Sequence, residues 1–216
     1  MDNFFQSKYC YKNSNVLINK LNITDGKIFN KKELEITDYK LSIINKSNIQ
    51  KTYDINHYLS IHKFLFDDIY SFAGELRDEN IYKSRAPYKE GVMPFCEIPF
   101  IKKTLIYTLS EMNQNYIKIK NREDLLKFLA HYYLELNIIH PFREGNGRTL
   151  NVFTKEYVER INKDKGFNFV LDYDMDEETK ELSKKSTRLD DEVLAYKVFD
   201  KMVYEKELKD EKNFTL

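Results

Sequence analysis

Along most of the chain, apolar residues return every three or four positions, and a capping residue, a proline or a glycine bounds each such stretch. The run DINHYLSIHKFLFDDIYSFAG puts Ile55, Leu59, Phe66, Ile69 and Phe72 at helical spacing, with Asp54 as N-cap and Gly74 as the stop. EIPFIKKTLIYTLSEMNQNY, from Glu97, carries Pro99 in its first turn and then Ile101, Leu105, Leu109 and Met112 on one face. NREDLLKFLAHYYLELNIIH takes Asn121 as its cap and acids in its first turn; the rest is almost wholly apolar, which predicts a central helix buried on most sides. TLNVFTKEYVERINK and DDEVLAYKVFDKMVYEKEL read as further helices, ahead of a charged tail, KDEKNFTL, expected to fray. KKELEITDYKLSIINKS reads as a helix and KNSNVLINKLNIT as a loop leading into a short apolar piece. In NIYKSRAPYKEGVMPFC two prolines and a glycine separate short Tyr, Val and Phe pieces, which predicts a β-hairpin or an irregular flap.

The predicted class is all-α, a helical bundle with a small β-hairpin flap. Its 216 residues suit a single domain over 1–216, with a core of about 53–165, an N-terminal extension at 1–52 and C-terminal helices at 166–216. Hydrophobic residues make up 42%, enough for a real core. Lys+Arg and Asp+Glu both number 35, and the zero net charge removes any global electrostatic case for nucleic acid or membrane as partner. Only Cys10 and Cys96 occur, in no metal-ligand spacing, which fits a reducing compartment. The first residues lack a basic stretch followed by an apolar run, and no apolar segment reaches about 18 residues. The expectation is a cytoplasmic protein.

The candidate chemistry is concentrated in HPFREGNGR, His140 to Arg148. His140 ends the buried helix and precedes Pro141, which biases it away from helical dihedrals. Gly145 and Gly147 flank Asn146 just ahead of a strong helix pattern, so backbone N–H groups and the positive end of that helix converge into an anion hole. Phosphate is the natural occupant. Arg148 can fork onto two phosphate oxygens, and Glu144, which would repel an anion, is accounted for by a hard cation such as Mg²⁺ between them. An imidazole beside such a cradle suits proton removal from an attacking hydroxyl, worth roughly 10²- to 10⁴-fold in rate. The string is neither a Walker loop, having no Lys-Ser/Thr after its glycines, nor a Rossmann turn, having no strand before them.

HPFREGNGR resembles the signature of the Fic family, H-P-F-x-[D/E]-G-N-G-R-x-x-R, and IHKFLFDDIYSFAGELRDENI is similar to the family's helix and F-A-G-x-x-R turn. KNSNVLINKLNIT resembles the lead-in of Fic toxins paired with a separate antitoxin. The resemblance, over about residues 9–165, implies transfer of AMP from ATP to a hydroxyl side chain of a target protein, with release of pyrophosphate. It implies His140 as catalytic base, Phe142 as buried anchor, Glu144 as Mg²⁺ ligand, and Gly145, Asn146, Gly147 and Arg148 as the phosphate cradle. The flap, Tyr82 to Phe95, would register the target segment, with Tyr82 and Lys83 closing over the nucleotide. One position departs: Asn151 stands where the signature has its second arginine, the residue that contacts the γ-phosphate and pairs with an inhibitory glutamate. An uncharged amide there loses on the order of 1–3 kcal/mol of charge-assisted contact, so arginine at 151 is expected to tighten ATP binding. Weak ATP use, another transferred moiety, phosphoester hydrolysis and a catalytically weak regulatory module are the consequences left open. SFAGEL, from Ser71, is the nearest thing to the inhibitory string and ends in Leu76 instead of Gly or Asn, so an inhibitory antitoxin is expected in trans if at all.

Overall fold

The computed structural model describes residues 7–206. Its helices are α1 (Gly26–Ile43), α2 (Ile55–Phe66), α3 (Ile98–Asn115), α4 (Arg122–Ile139), α5 (Asn146–Lys165), α6 (Glu177–Leu189) and α7 (Glu192–Met202). The strands pair as two antiparallel ribbons, β1 (Tyr82–Ser84) with β2 (Val92–Pro94), and β3 (Phe169–Leu171) with β4 (Val203–Glu205). The all-α class with a small hairpin is therefore what the chain adopts.

Caps place the helix starts. Asp54 accepts from the His57 N–H at 3.1 Å, and Asn121 accepts from Asp124 N–H at 2.9 Å. Asp25 accepts from both Lys27 and Ile28 N–H at 2.9 Å, which starts α1 ahead of the predicted Lys31. As expected, α4 is the central helix: Leu125, Leu126, Leu129, Ala130, Leu134, Leu136 and Ile139 are all buried, and it packs on α3, α5 and α7. Each such leucine removed from water is worth about 1.5–3 kcal/mol.

Three boundaries differ from the periodic reading. The helix expected to run to Gly74 stops at Phe66, and 67–74 fold back as turns, held by Gly74 N–H donating to His62 Nδ1 at 2.8 Å. Ile69 and Phe72 are buried as the pattern requires, from a turn instead of a helix, because burial constrains the side chain and leaves the backbone free. Second, α5 begins at Asn146 and draws Gly147 into its first turn. Third, the final helix gives way at Val203 to β4, whose pairing with β3 outcompetes helix continuation; Glu207, Leu208 and the tail KDEKNFTL lie outside the described residues. The flap hairpin is present in the register Tyr82↔Pro94, Lys83↔Met93, Ser84↔Val92. Its tip rests on α6, where Arg188 donates to the Ala86 carbonyl and Tyr88 to the Glu181 carboxylate.

Candidate active site

The loop between α4 and α5 meets the flap in a groove of about 530 Å³ lined by Tyr82, Lys83, Phe95, His140, Arg143, Glu144, Asn146 and Gly147, among others. His140 caps α4 in the left-handed region, φ 45° and ψ 60°, which ends the helix one residue before Pro141. Its Nδ1 faces the Asn137 carbonyl at 3.1 Å, and a carbonyl only accepts, so Nδ1 carries the proton and Nε2 keeps its lone pair. Burial pushes the imidazole down to about 4, the Asn137 carbonyl opposes this, and the charges of Lys83 and Arg77 push the same way as burial. A neutral imidazole with one open nitrogen is the state a general base needs.

The rest of the loop is built to hold still. Phe142 is fully buried, stacked 3.7 Å from His62 and parallel to Tyr58. Asn146 spends its side chain on the loop: Oδ1 accepts from Phe142 N–H at 2.9 Å and Nδ2 donates to the Phe142 carbonyl at 2.8 Å. Its offer to an anion is consequently its backbone N–H. Gly145 sits at φ +79° against Phe66. No side chain caps α5, so its leading N–H groups lack a side-chain partner, and Asn146 and Gly147 of that first turn line the groove. A Cβ at Gly147 would meet nothing within 4 Å. Packing within the chain does not require that glycine, which otherwise weakens a helix by about 1 kcal/mol relative to alanine, so space for a ligand is its physical rationale.

The structure brings His140, Glu144, Asn146, Gly147, Tyr82 and Lys83 to one groove, while Gly145, Arg148 and Asn151 do not line it. Arg148 pairs with Glu33 of α1 at 2.8 Å, donates to Thr37 Oγ1 at 3.1 Å, lies over the Phe66 ring and is 3.4 Å from Glu144. Its charge is already countered. Asn151 accepts from the Tyr133 hydroxyl at 2.9 Å and lines two other cavities, of about 250 and 100 Å³, the larger of which Arg148 also lines. The cations left facing the groove are Lys83, its amine pushed down by burial and then by Arg188, and Arg143, whose guanidinium lies 5.9 Å from the centre of the Tyr9 ring.

Glu144 Oε1 accepts from Gly145 N–H at 2.9 Å, and its side chain is 44% exposed. Among the described residues no group of three His, Cys, Asp or Glu converges on a metal position. One half-exposed carboxylate next to the uncapped start of α5 fits a hard cation such as Mg²⁺, which binds through one or two protein carboxylates and keeps several waters.

Pattern reading gave no role to His62 and Glu33, placed Arg77 only as the arginine of the F-A-G-x-x-R turn and Phe95 only as the end of the flap. His62 is fully buried; its Nδ1 accepts from Gly74 N–H, so Nε2–H donates to the Glu144 carbonyl at 3.0 Å and ties the F-A-G turn to the loop. Burial, the largest cause, pushes His62 down to about 4 despite its Glu144 bond. Between about pH 6.5 and 4 the folded chain therefore binds fewer protons at His62 and His140 than the unfolded chain. Stability is expected to drop as pH is lowered from about 6.5 to 4, by up to roughly 1.4 kcal/mol per unit for each histidine. Urea denaturation at pH 7 and 5 checks this; equal free energies of unfolding would refute it.

Among the described residues, no helix is long and apolar enough to cross a membrane. The Fic/DOC family model matches residues 52–158. In sequence the chain is similar to the probable protein adenylyltransferase Fic of Escherichia coli strain K12, at 30% identity over 151 residues, 68% of this chain and 70% of that protein. It is also similar to protein adenylyltransferase VbhT of Bartonella schoenbuchensis, at 26% identity over 77% of this chain and 32% of that one. In fold it is similar to BepC from Bartonella tribocorum, solved with bound AMPPNP, with a TM-score of 0.75 at 19% identity over 92% of this chain and 97% of that one. The N-terminal Fic domain of a Bartonella quintana effector, solved with bound ADP, gives a TM-score of 0.76 at 19% identity over 92% and 95%.

Proposed function

The chain belongs to the Fic/DOC family, and from that premise we propose that it is a protein adenylyltransferase, moving AMP from ATP to a Ser, Thr or Tyr hydroxyl of a target protein. The observation that carries this reading is a neutral His140 with its free Nε2 in the same groove as the uncapped start of α5. Nε2 takes the hydroxyl proton as the oxygen attacks the α-phosphorus, the bond to the bridging oxygen breaks, and pyrophosphate leaves with the electron pair. Backbone N–H groups of Asn146 and Gly147 and the ammonium of Lys83 face the developing charge, with Arg143 replacing the charge that Asn151 lacks. Glu144 would hold Mg²⁺, which when bound neutralises phosphate charge. The target segment docks along the flap by strand-like pairing at Tyr82–Ser84, all three residues of which are exposed. Relatives named protein adenylyltransferases support the reaction class, and bound AMPPNP and ADP in the structural neighbours support nucleotide binding.

A toxin-like role held in check by a small antitoxin in trans is part of the same proposal, supported by the likeness of residues 12–24 to the lead-in of antitoxin-paired relatives. Asn151 favours a second reading, an attenuated member that uses ATP weakly. Incubation with lysate, Mg²⁺ and either α- or γ-labelled ATP separates the readings. Protein-bound α-label that a His140→Ala control lacks is the expected result. Protein-bound γ-label means phosphotransfer, label only in small products means hydrolysis, and no His140-dependent signal sinks the enzyme reading for ATP.

A further inference from the structure

Arg77 is 2% exposed, yet among the described residues it forms no ion pair. Its hydrogen bonds all go to carbonyls. Nε donates to His140 at 2.8 Å, Nη1 to Glu79 at 2.8 Å, Nη2 to Cys96, and its backbone N–H to Pro141 at 2.8 Å. Glu79 precedes β1 and Cys96 follows β2, so one guanidinium grips both roots of the flap and the carbonyl of the candidate base. Burying a guanidinium without a counter-ion is costly, and the return is a joint between three segments that are remote in sequence. The flap's exit makes a second contact with the base: the Phe95 ring, 8% exposed, is stacked on the His140 imidazole at 3.8 Å with 14° between planes. His140 occupies a left-handed conformation that non-glycine residues avoid, and such a conformation persists where the surroundings over-determine it. Arg77 from behind and Phe95 from the side supply that constraint.

We propose that Arg77 and Phe95 are positioning residues that couple the seating of the flap to the orientation of His140. A segment pairing with the flap pulls on β2, and β2 runs directly into Phe95, whose ring stacks on the base, and Cys96, whose carbonyl Arg77 ties to the His140 carbonyl. The imidazole is aimed when the flap is seated and released when it is displaced. The charged and titratable groups facing it are Lys83 and Tyr82 from the flap, Arg77, and Arg143 and Glu144 from the loop. The kinetic part of this inference rests on the transferase reading; the spectroscopic part does not.

The test uses the full chain, whose 4 histidines make imidazole NMR resonances assignable. Phe95→Leu keeps the apolar bulk and removes the plate; Arg77→Lys keeps the charge and removes the fork. In Phe95→Leu the His140 midpoint is expected to move up toward the ordinary value of about 6.5 while that of His62 stays in place. With ATP saturating, kcat is expected to fall at least about tenfold with nucleotide affinity within about twofold. In Arg77→Lys, amide exchange should speed up at residues 92–96 while α4 stays protected. If Arg77→Lys does not fold, Phe95→Leu decides alone. A wild-type His140 titration in Phe95→Leu overturns the proposal, as does a shift shared equally by every histidine. If the wild-type chain transfers no AMP, the transferase reading fails and the NMR result still rules on the coupling.

Discussion

Replacing His140 by alanine is expected to lower AMP transfer by roughly 10²- to 10⁴-fold while nucleotide affinity stays within about twofold. The groove offers one neutral nitrogen base with an open lone pair; the other ionisable groups lining it are two cations, a carboxylate and the Tyr82 phenol. The pH profile gives the effect its signature. Burial holds the imidazole near 4, so the rate should hold on the acid side through pH 6 instead of halving near 6.5. Single-turnover transfer of α-label onto a target, followed from pH 4 to 8, checks both parts. A half-rate point near 6.5, or alanine costing less than about fivefold, would assign the proton to another group.

Replacing Gly145 by alanine is expected to dismantle the cradle. A Cβ at 145 would stand 2.3 Å from Phe66 Cε2 and 2.4 Å from Cζ, at φ +79°. Phe66 is fully buried between His62 and the Arg148 guanidinium, which lies 4.7 Å from its ring centre, and has nowhere to retreat. Overpacking and left-handed strain together should cost about 2–4 kcal/mol, and nucleotide affinity should fall with stability as the start of α5 shifts. Gly147→Ala is the control that makes this decisive. It meets nothing within 4 Å and lies inside a helix, so stability should hold or rise by up to about 1 kcal/mol while affinity falls. Denaturant midpoints with calorimetric nucleotide titrations separate the two glycines; equal behaviour would contradict the division of labour between packing and ligand space.

The helices were legible because amphipathic spacing is a local record of a non-local event, the burial of one face. Asp54 and Asn121 could be placed as caps since a cap bonds three residues away. The flap was legible as a break in period, and His140 as a helix end, since Pro141 disfavours helical dihedrals at the residue before it. Position 151 shows where such reading stops. In the signature it is a phosphate contact; in the fold the residue sits one helical turn from the groove, accepting from Tyr133, and its side-chain direction depends on how α4 packs on α5. Arg148 shows the same limit: Glu33 lies 115 residues away, and no spacing rule pairs them.

From the sequence alone came the helical class, the flap, the candidate base, the candidate metal-holding carboxylate and the glycine-flanked turn, all encoded within a few residues by periodicity, capping and dihedral preference. The tertiary structure alone decided which cations face the groove, which nitrogen of His140 is free, and that Arg77, Phe95 and His62 brace the loop. Those are contacts between segments remote in the chain, and hydrogen-bond partners and desolvation exist only once the segments are packed together.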